Sequence, residues 1–157
     1  MIEQTLILIK PDAINRGLLG EIVHRFERKG LKIVAMKMMH LKDSLLEEHY
    51  AHIKDKPFFP GVKKFMQASP TVIMVVEGFE AVEIARLMCG PTKASQAPAG
   101  TIRGDYALSV QSNVVHASDS KETARQEIKR FFKKEEVLEY DKIDFELLLA
   151  PDEKRKR

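Results

Sequence analysis

The chain has 157 residues, 44% of them hydrophobic and 31% charged, the balance of one globular domain that buries about two-thirds of its unfolded surface. No apolar run approaches the ~20 residues of a membrane span and Met1-Ile2-Glu3-Gln4 does not open a signal peptide, so no membrane partner is expected. The net charge is +3, but residues 152–157 hold four basic and two acidic side chains, and the +1 left without them argues against a specific nucleic-acid partner.

Residues 5–9 are a β-branched apolar run ending at Lys10-Pro11-Asp12, the pattern of a buried strand meeting a turn, with Lys10 at its exit. Leu19, Ile22, Val23 and Phe26 follow at helical spacing, and Gly30 closes that helix. Residues 31–41 read as a long strand, apolar on both faces and interrupted by Lys37. Ser44 with Glu47 has the spacing of a capping box for a second helix, whose stripe of Leu46, His49, Tyr50 and Ile53 turns Tyr50 toward packed structure. Phe58 and Phe59 come next, between Pro57 and Pro60. Consecutive rings cannot both face one core. Either one ring is free to stack on a nucleobase, or both seal the junction to a helix striped by Val62, Phe65 and Met66; the sequence leaves both open.

Residues 71–77 give a third strand, and Ala81, Ile84, Ala85 and Met88 a helix with Arg86 off its stripe, ended by Gly90-Pro91. Cys89, beside that stripe, is expected to pack; as the single cysteine it excludes an internal disulfide framework and fits a reducing, cytoplasmic location. From residue 91 to residue 102 there is no periodicity, and a loop of that length is often functional. It carries Thr92 and leads to Arg103. Residues 106–110 alternate like a half-buried strand, the fourth. Beyond them a last helix buries Ala124, Ile128, Phe131 and Phe132, starts at Asp119 and Glu122 in the manner of a capping box, and holds Glu127 beside its stripe. Residues 1–150 are read as one domain and 151–157 as a charged, disordered tail.

His116 falls between the last strand and that helix, where backbone N–H groups and the helix dipole favour anions. A lone histidine there is most simply a surface residue. A neutral imidazole also keeps one lone pair, which suits a nucleophile toward phosphorus, a base or a ligand, and Glu127 with Ser118 could orient it. Lys10, Arg86 and Arg103 as cations, Tyr50 and Thr92 as hydroxyls, Asn113 and the ring of Phe58 complete a set suited to a nucleoside polyphosphate. Neither a Gly-x-x-x-x-Gly-Lys-Ser/Thr nor a Gly-x-Gly-x-x-Gly motif occurs, so side chains must build any phosphate site.

Asn113-Val114-Val115-His116-Ala117-Ser118-Asp119 resembles the nucleoside diphosphate kinase signature Asn-x-x-His-Gly/Ala-Ser-Asp. Ile9-Lys10-Pro11-Asp12, His49-Tyr50 with Lys56-Pro57-Phe58-Phe59, and Gly100-Thr101-Ile102-Arg103-Gly104-Asp105 resemble further motifs of that family, in its order and spacing across residues 3–140. The resemblance implies an α+β, ferredoxin-like sandwich, a four-stranded antiparallel sheet with helices on one face. The strand–helix alternation alone would equally allow a doubly wound parallel sheet.

It further implies ping-pong transfer of the γ-phosphate of a nucleoside triphosphate, mainly ATP, to a nucleoside diphosphate through a phosphohistidine on Nδ1 of His116. Glu127 and Ser118 would fix the ring, Ser118 also contacting Tyr50. Arg86, Thr92 and Arg103 would hold the phosphates, Lys10 and Asn113 the sugar hydroxyls, and Phe58 the base. Lys10 would also lie near the γ-phosphate. Mg²⁺ would ride on the phosphates without a protein metal site, reached by Asp119 only through water. A homo-oligomer is implied, with a hexamer favoured and a tetramer open, because residues 93–99 and 143–157 depart from segments the family uses in subunit contacts. Gln111-Ser112 departs as well, replacing a glycine-containing pair. The competing reading is a non-catalytic nucleotide or nucleic-acid binding module on the same fold, which would have no need of an oriented histidine.

Overall fold

The computed structural model describes residues 2–151, so the tail expected at 151–157 lies outside the described residues from position 152 on. In chain order the elements are β1 (Ile2–Ile9), α1 (Pro11–Asn15), α2 (Leu19–Arg28), β2 (Lys32–Met39), α3 (Asp43–His49), α4 (Phe59–Gln67), β3 (Thr71–Phe79), α5 (Ala81–Cys89), α6 (Ile102–Tyr106), β4 (Val115–Ala117), α7 (Lys121–Phe131) and α8 (Phe145–Leu148). Single 3-10 turns at Ala51–Ile53, Ala94–Gln96 and Lys134–Glu136 interrupt the connections.

The strands form one antiparallel sheet in the order β2-β3-β1-β4, the ferredoxin-like arrangement and not a parallel one. β1 and β3 lie in the middle, paired from Ile2 with Phe79 to Ile9 with Val72. Helices cover both faces, one layer more than expected. On one face Ile22 and Phe26 of α2, Ala85 of α5 and Ile102 of α6 pack on Ile7, Ile9, Met74 and Val76. On the other, Leu46 of α3, Met66 of α4 and Phe131 of α7 pack on Leu6, Leu8, Ile73 and Val75. Burial on both sides is why β1 and β3 read as unbroken apolar runs. Each of the larger side chains among these (Leu, Ile, Val, Met, Phe) contributes roughly 1.5–3 kcal/mol when removed from water.

The element ends show which local signals hold. Gly30, at φ +98°, ends α2 as its spacing predicts, with Leu31 N donating to Phe26 O at 3.2 Å. The Ser44–Glu47 pair is not a capping box: α3 starts at Asp43 with Lys42 at its N-cap and no side-chain bond, and Glu47 instead accepts from Lys63 at 3.1 Å. At α7 the cap is Ser120, whose Oγ accepts from Thr123 N at 3.1 Å, and not Asp119.

The fourth strand is not at residues 106–110. Thr101 Oγ1 accepts from Gly104 N at 3.0 Å, capping α6 and winding Tyr106 into it. Ala107 is then buried and Leu108 91% exposed in an irregular loop. A short alternation next to a capped turn carries little weight against the cap. The edge strand is β4, which pairs His116 with Leu8, so the histidine sits within a strand and not beyond its end. Three residues are too few to display a two-residue period.

Candidate active site

Where β1 ends and β4 begins, α4, α5, α7 and the turn after α3 enclose a cavity of about 1000 Å³. Lys10, Tyr50, Phe58, Arg86, Thr92, Arg103, Asn113, His116 and Glu127 all line it, so of the residues singled out above only Ser118 does not. Ser118 is fully buried behind Glu127.

The floor is a chain of hydrogen bonds centred on Glu127. His116 Nε2 lies 3.0 Å from Glu127 Oε1 and 3.2 Å from Oε2, and Ser118 Oγ donates to Oε2 at 2.6 Å. Burial pushes the Glu127 carboxyl up, but bonds from His116 and Ser118, with His49 nearby, hold it on balance below its ordinary range. An ionised carboxylate only accepts, so Nε2 carries a proton, and in the neutral ring Nδ1 is the nitrogen with the lone pair. Leu6 N donates to Ser118 Oγ at 3.3 Å, which ties this chain to β1. The expected Ser118–Tyr50 contact is not among these bonds; the Tyr50 ring meets His49 instead, centroids 4.8 Å apart. Burial, with the Glu127 charge, pushes the Tyr50 phenol above its ordinary range and keeps it protonated.

The cations are held differently from one another. Arg103 is 8% exposed, and its Nη1 and Nη2 donate at 2.6 Å to Gly90 O and Val115 O, while Nε is buried without a partner among the described residues. Burial, and repulsion from Arg86, pull the guanidinium below the usual arginine value. Lys10 Nζ donates to Asn113 Oδ1 at 2.6 Å, and the Asn113 amide donates to Thr92 O and Val110 O at 2.9 Å. Burial, then repulsion from Arg103, pull Lys10 down to about 8 against the pull of Asp12. Arg86 is exposed, and its guanidinium makes no hydrogen bond or ion pair among the described residues.

The Phe58–Phe59 alternative is resolved. Phe59 opens α4 and packs at 5% exposure, while Phe58 stands 56% exposed at the cavity mouth. Cys89 packs as expected, and burial pushes its thiol up to about 12.

Two further residues belong to the site. The buried His49 ring meets the His116 ring edge to face at 4.9 Å, and burial, then repulsion from His116, pulls it down to about 3. It is therefore neutral, and the 3.6 Å between His49 Nδ1 and Glu127 Oε1 is no ion pair. Its Nδ1 accepts from Arg130 Nη1 at 3.4 Å, and Arg130 Nε donates to Glu48 at 2.9 Å. The signals were a histidine in an apolar stripe and an arginine one helical turn after Glu127. His49, His116 and Glu127 offer ligand atoms within 4.8 Å of one another, but these atoms already serve the bonds just described and Arg130 faces them with a positive charge. Among the described residues the cluster suits a metal poorly.

A histidine with one nitrogen fixed by a carboxylate, cations along the cavity wall and an exposed ring at its mouth are a set of side chains whose chemistry suits a nucleotide phosphate. The profile of the family described as nucleoside diphosphate kinase matches residues 3–137. A nucleoside diphosphate kinase of Parabacteroides distasonis is 50% identical over 151 residues, covering 96% of this chain and 99% of its own. One from Pyrococcus furiosus is 54% identical over 144 residues, 90% and 89% of the two chains. The solved structure of a halophilic nucleoside diphosphate kinase from Halobacterium salinarum in complex with CDP superposes with a TM-score of 0.93 at 39% identity, over 96% of this chain and 100% of that one. The chain belongs to the nucleoside diphosphate kinase family. It is a phosphotransferase that moves the γ-phosphate of a nucleoside triphosphate to a nucleoside diphosphate.

Proposed function

We propose that the transfer runs by a ping-pong mechanism through His116. Nδ1 attacks the γ-phosphorus in line, the bond to the β,γ-bridging oxygen breaks, and the nucleoside diphosphate leaves with that electron pair. An acceptor diphosphate then reverses the path by attacking the phosphohistidine with its terminal oxygen. The observation that carries this is the bond from His116 Nε2 to an ionised Glu127, which aims the free nitrogen and steadies the positive ring that phosphorylation creates. Arg86, Arg103 and Thr92 hold the phosphates. Lys10 and Asn113 hold the sugar hydroxyls, and Tyr50 walls the site beside His49. Phosphoryl transfer needs this positioning and charge neutralisation more than it needs acids and bases.

Phe58 stacks on any base and reads no base edge, so broad nucleotide use follows. The halobacterial relative carries CDP in its structure, and a pocket of this kind takes such a ligand here. Mg²⁺ is a hard cation that favours oxygen; the exposed Asp119 at the cavity is a carboxylate able to approach it, while the nucleotide phosphates supply most of its ligands. When bound, the ion neutralises charge on those phosphates. Self-assembly, as a hexamer in the favoured reading, is supported by Met36 and Met38, exposed on the edge strand β2. Among the described residues no helix is long and apolar enough to cross a membrane, and a buried free thiol fits the cytoplasm.

Single-turnover mixing with γ-labelled ATP tests the reading. The protein is expected to take up acid-labile phosphate and discharge it to any added diphosphate, and His116→Ala to do neither. Uptake and transfer by His116→Ala would overturn it.

A further inference from the structure

Between Asn113 and His116 the backbone adopts a conformation that its side chain resists. Val114 has φ +61°, an outlier for a β-branched residue. Val115 N donates to Asn113 O at 2.8 Å, closing a three-residue γ-turn about Val114 of the rare, strained hand. The Val114 side chain is fully buried in the core, so the turn cannot relax by swinging outward. On one side of the turn the Asn113 amide is fastened to Thr92 O and Val110 O; on the other β4 begins and aims His116. The dihedrals at Val114 therefore set the spacing of these two side chains.

The segment after β1 grips the turn from outside. Lys10 N donates to Val114 O at 2.9 Å, and Asp12 Oδ2 accepts from Val114 N at 3.1 Å. The other Asp12 oxygen is buried and has no hydrogen-bond partner among the described residues. A half-buried carboxylate with one oxygen buried and unpartnered is a poor choice for stability alone. Strained backbone in turn persists only where its surroundings over-determine it, and it concentrates at functional sites.

We propose that Asp12 is a positioning residue of the transfer reaction: its carboxylate holds the strained Val114 turn and, through it, the spacing of Asn113 and His116. It acts through those side chains and not on the phosphate itself. The inference rests on the reading of His116 as the phosphate acceptor.

The test compares Asp12→Ala, Asp12→Asn, Val114→Gly and the Asp12→Ala/Val114→Gly double variant in the full chain, with His116→Ala as control. Single-turnover phosphorylation at saturating ATP is measured below each variant's unfolding midpoint. Misplacement of reacting groups by an ångström costs about 10²-fold, so Asp12→Ala is expected to slow the step by about 30-fold or more. Asp12→Asn keeps an acceptor for the Val114 N–H and is expected to stay within about threefold. Glycine takes positive φ freely, so Val114→Gly is expected to shrink the Asp12→Ala loss to within about threefold. A merely structural role for Asp12 would show no such rescue.

The proposal is overturned if Asp12→Ala keeps the parent rate, if Asp12→Asn is as slow as Asp12→Ala, or if the loss is unchanged with Val114→Gly. If the Val114→Gly proteins lack a cooperative unfolding transition, the Asp12→Asn and Asp12→Ala pair decides alone. An active His116→Ala would instead bring down the underlying reading, whereas an inactive one beside a fully active Asp12→Ala brings down this inference only.

Discussion

The floor and the rim of the cavity are built by opposite rules. On the floor Ser118, Glu127, Asn113 and Arg103 are buried and bonded at 2.6–2.9 Å, each to partners on another element or loop. At the rim Phe58, Arg86 and Thr92 are exposed, and the Arg86 and Thr92 side chains make no hydrogen bond among the described residues. The ordering cost of the floor is met during folding, so its groups are already aimed when a nucleotide arrives. The rim side chains are exposed and have no such bonds to aim them in advance, so the nucleotide is expected to order them. Groups fixed in advance lower the barrier to reaction, while groups ordered by the ligand contribute chiefly to holding it. Changes to the floor should therefore appear in kcat and changes to the rim in KM.

The sharpest way to break that distinction is Glu127→Gln. The amide can still accept from His116 Nε2, but it removes the negative charge that steadies the phosphorylated ring and that faces His49 and Arg130. A neutralised orienting carboxylate costs about 10⁴-fold in the serine protease triad, and a fall in kcat of about 10²–10⁴-fold is expected here with KM within threefold. Steady-state assays across diphosphate concentrations decide it. A kcat within threefold of the parent protein would mean that the floor does not preorganise the nucleophile.

The same contrast shows what could be read from the sequence. The middle strands β1 and β3 were legible because burial on both faces leaves a continuous apolar run, and Glu127 because a carboxylate beside an apolar stripe needs a partner. β4 was not: it has three residues, a γ-turn precedes it, and neither feature leaves a periodic trace. The antiparallel order was also out of reach of periodicity, since the alternation of strands and helices fits either sheet, and it came only from the family resemblance. Which of Phe58 and Phe59 faces water depends on where α4 begins relative to Pro60, a phase no local rule supplies. His49 and Arg130 were visible as residue types on the right helical faces, yet their role appears only when α3 and α7 are brought together.

Lys10 joins floor and rim, being half-buried and bonded to Asn113 while it lines the cavity, and its titration is expected to give an effect of intermediate size. Burial, with repulsion from Arg103, places it at about 8 in the free protein, so it is charged below that pH and loses its proton as pH rises through it. Nucleotide phosphates favour the charged form. Deprotonation must therefore weaken capture, and kcat/KM should fall about tenfold per pH unit above pH 8 while kcat at saturation stays nearly level. Lys10→Arg, whose guanidinium stays protonated throughout this range, should abolish the bend in the pH profile even if it lowers activity overall. A bend that survives in Lys10→Arg would assign it to another group.

The smallest effect is expected at the outermost residue. Phe58 leaves more than half of its surface exposed, and Phe59 is the ring that packs at the start of α4. Its removal by Phe58→Ala should leave the unfolding midpoint unchanged and touch only base stacking, worth about 1–3 kcal/mol per base. That corresponds to KM values raised roughly 5- to 150-fold, with purines at the upper end because their larger rings stack more strongly, and to a kcat within about twofold. Phe58→Trp should instead lower KM for every base. Parallel titrations with ADP, GDP, CDP and UDP separate the cases. A selective loss of one base would show that the rim reads base edges, and a fall in kcat matching the rise in KM would show that the ring belongs, energetically, to the floor.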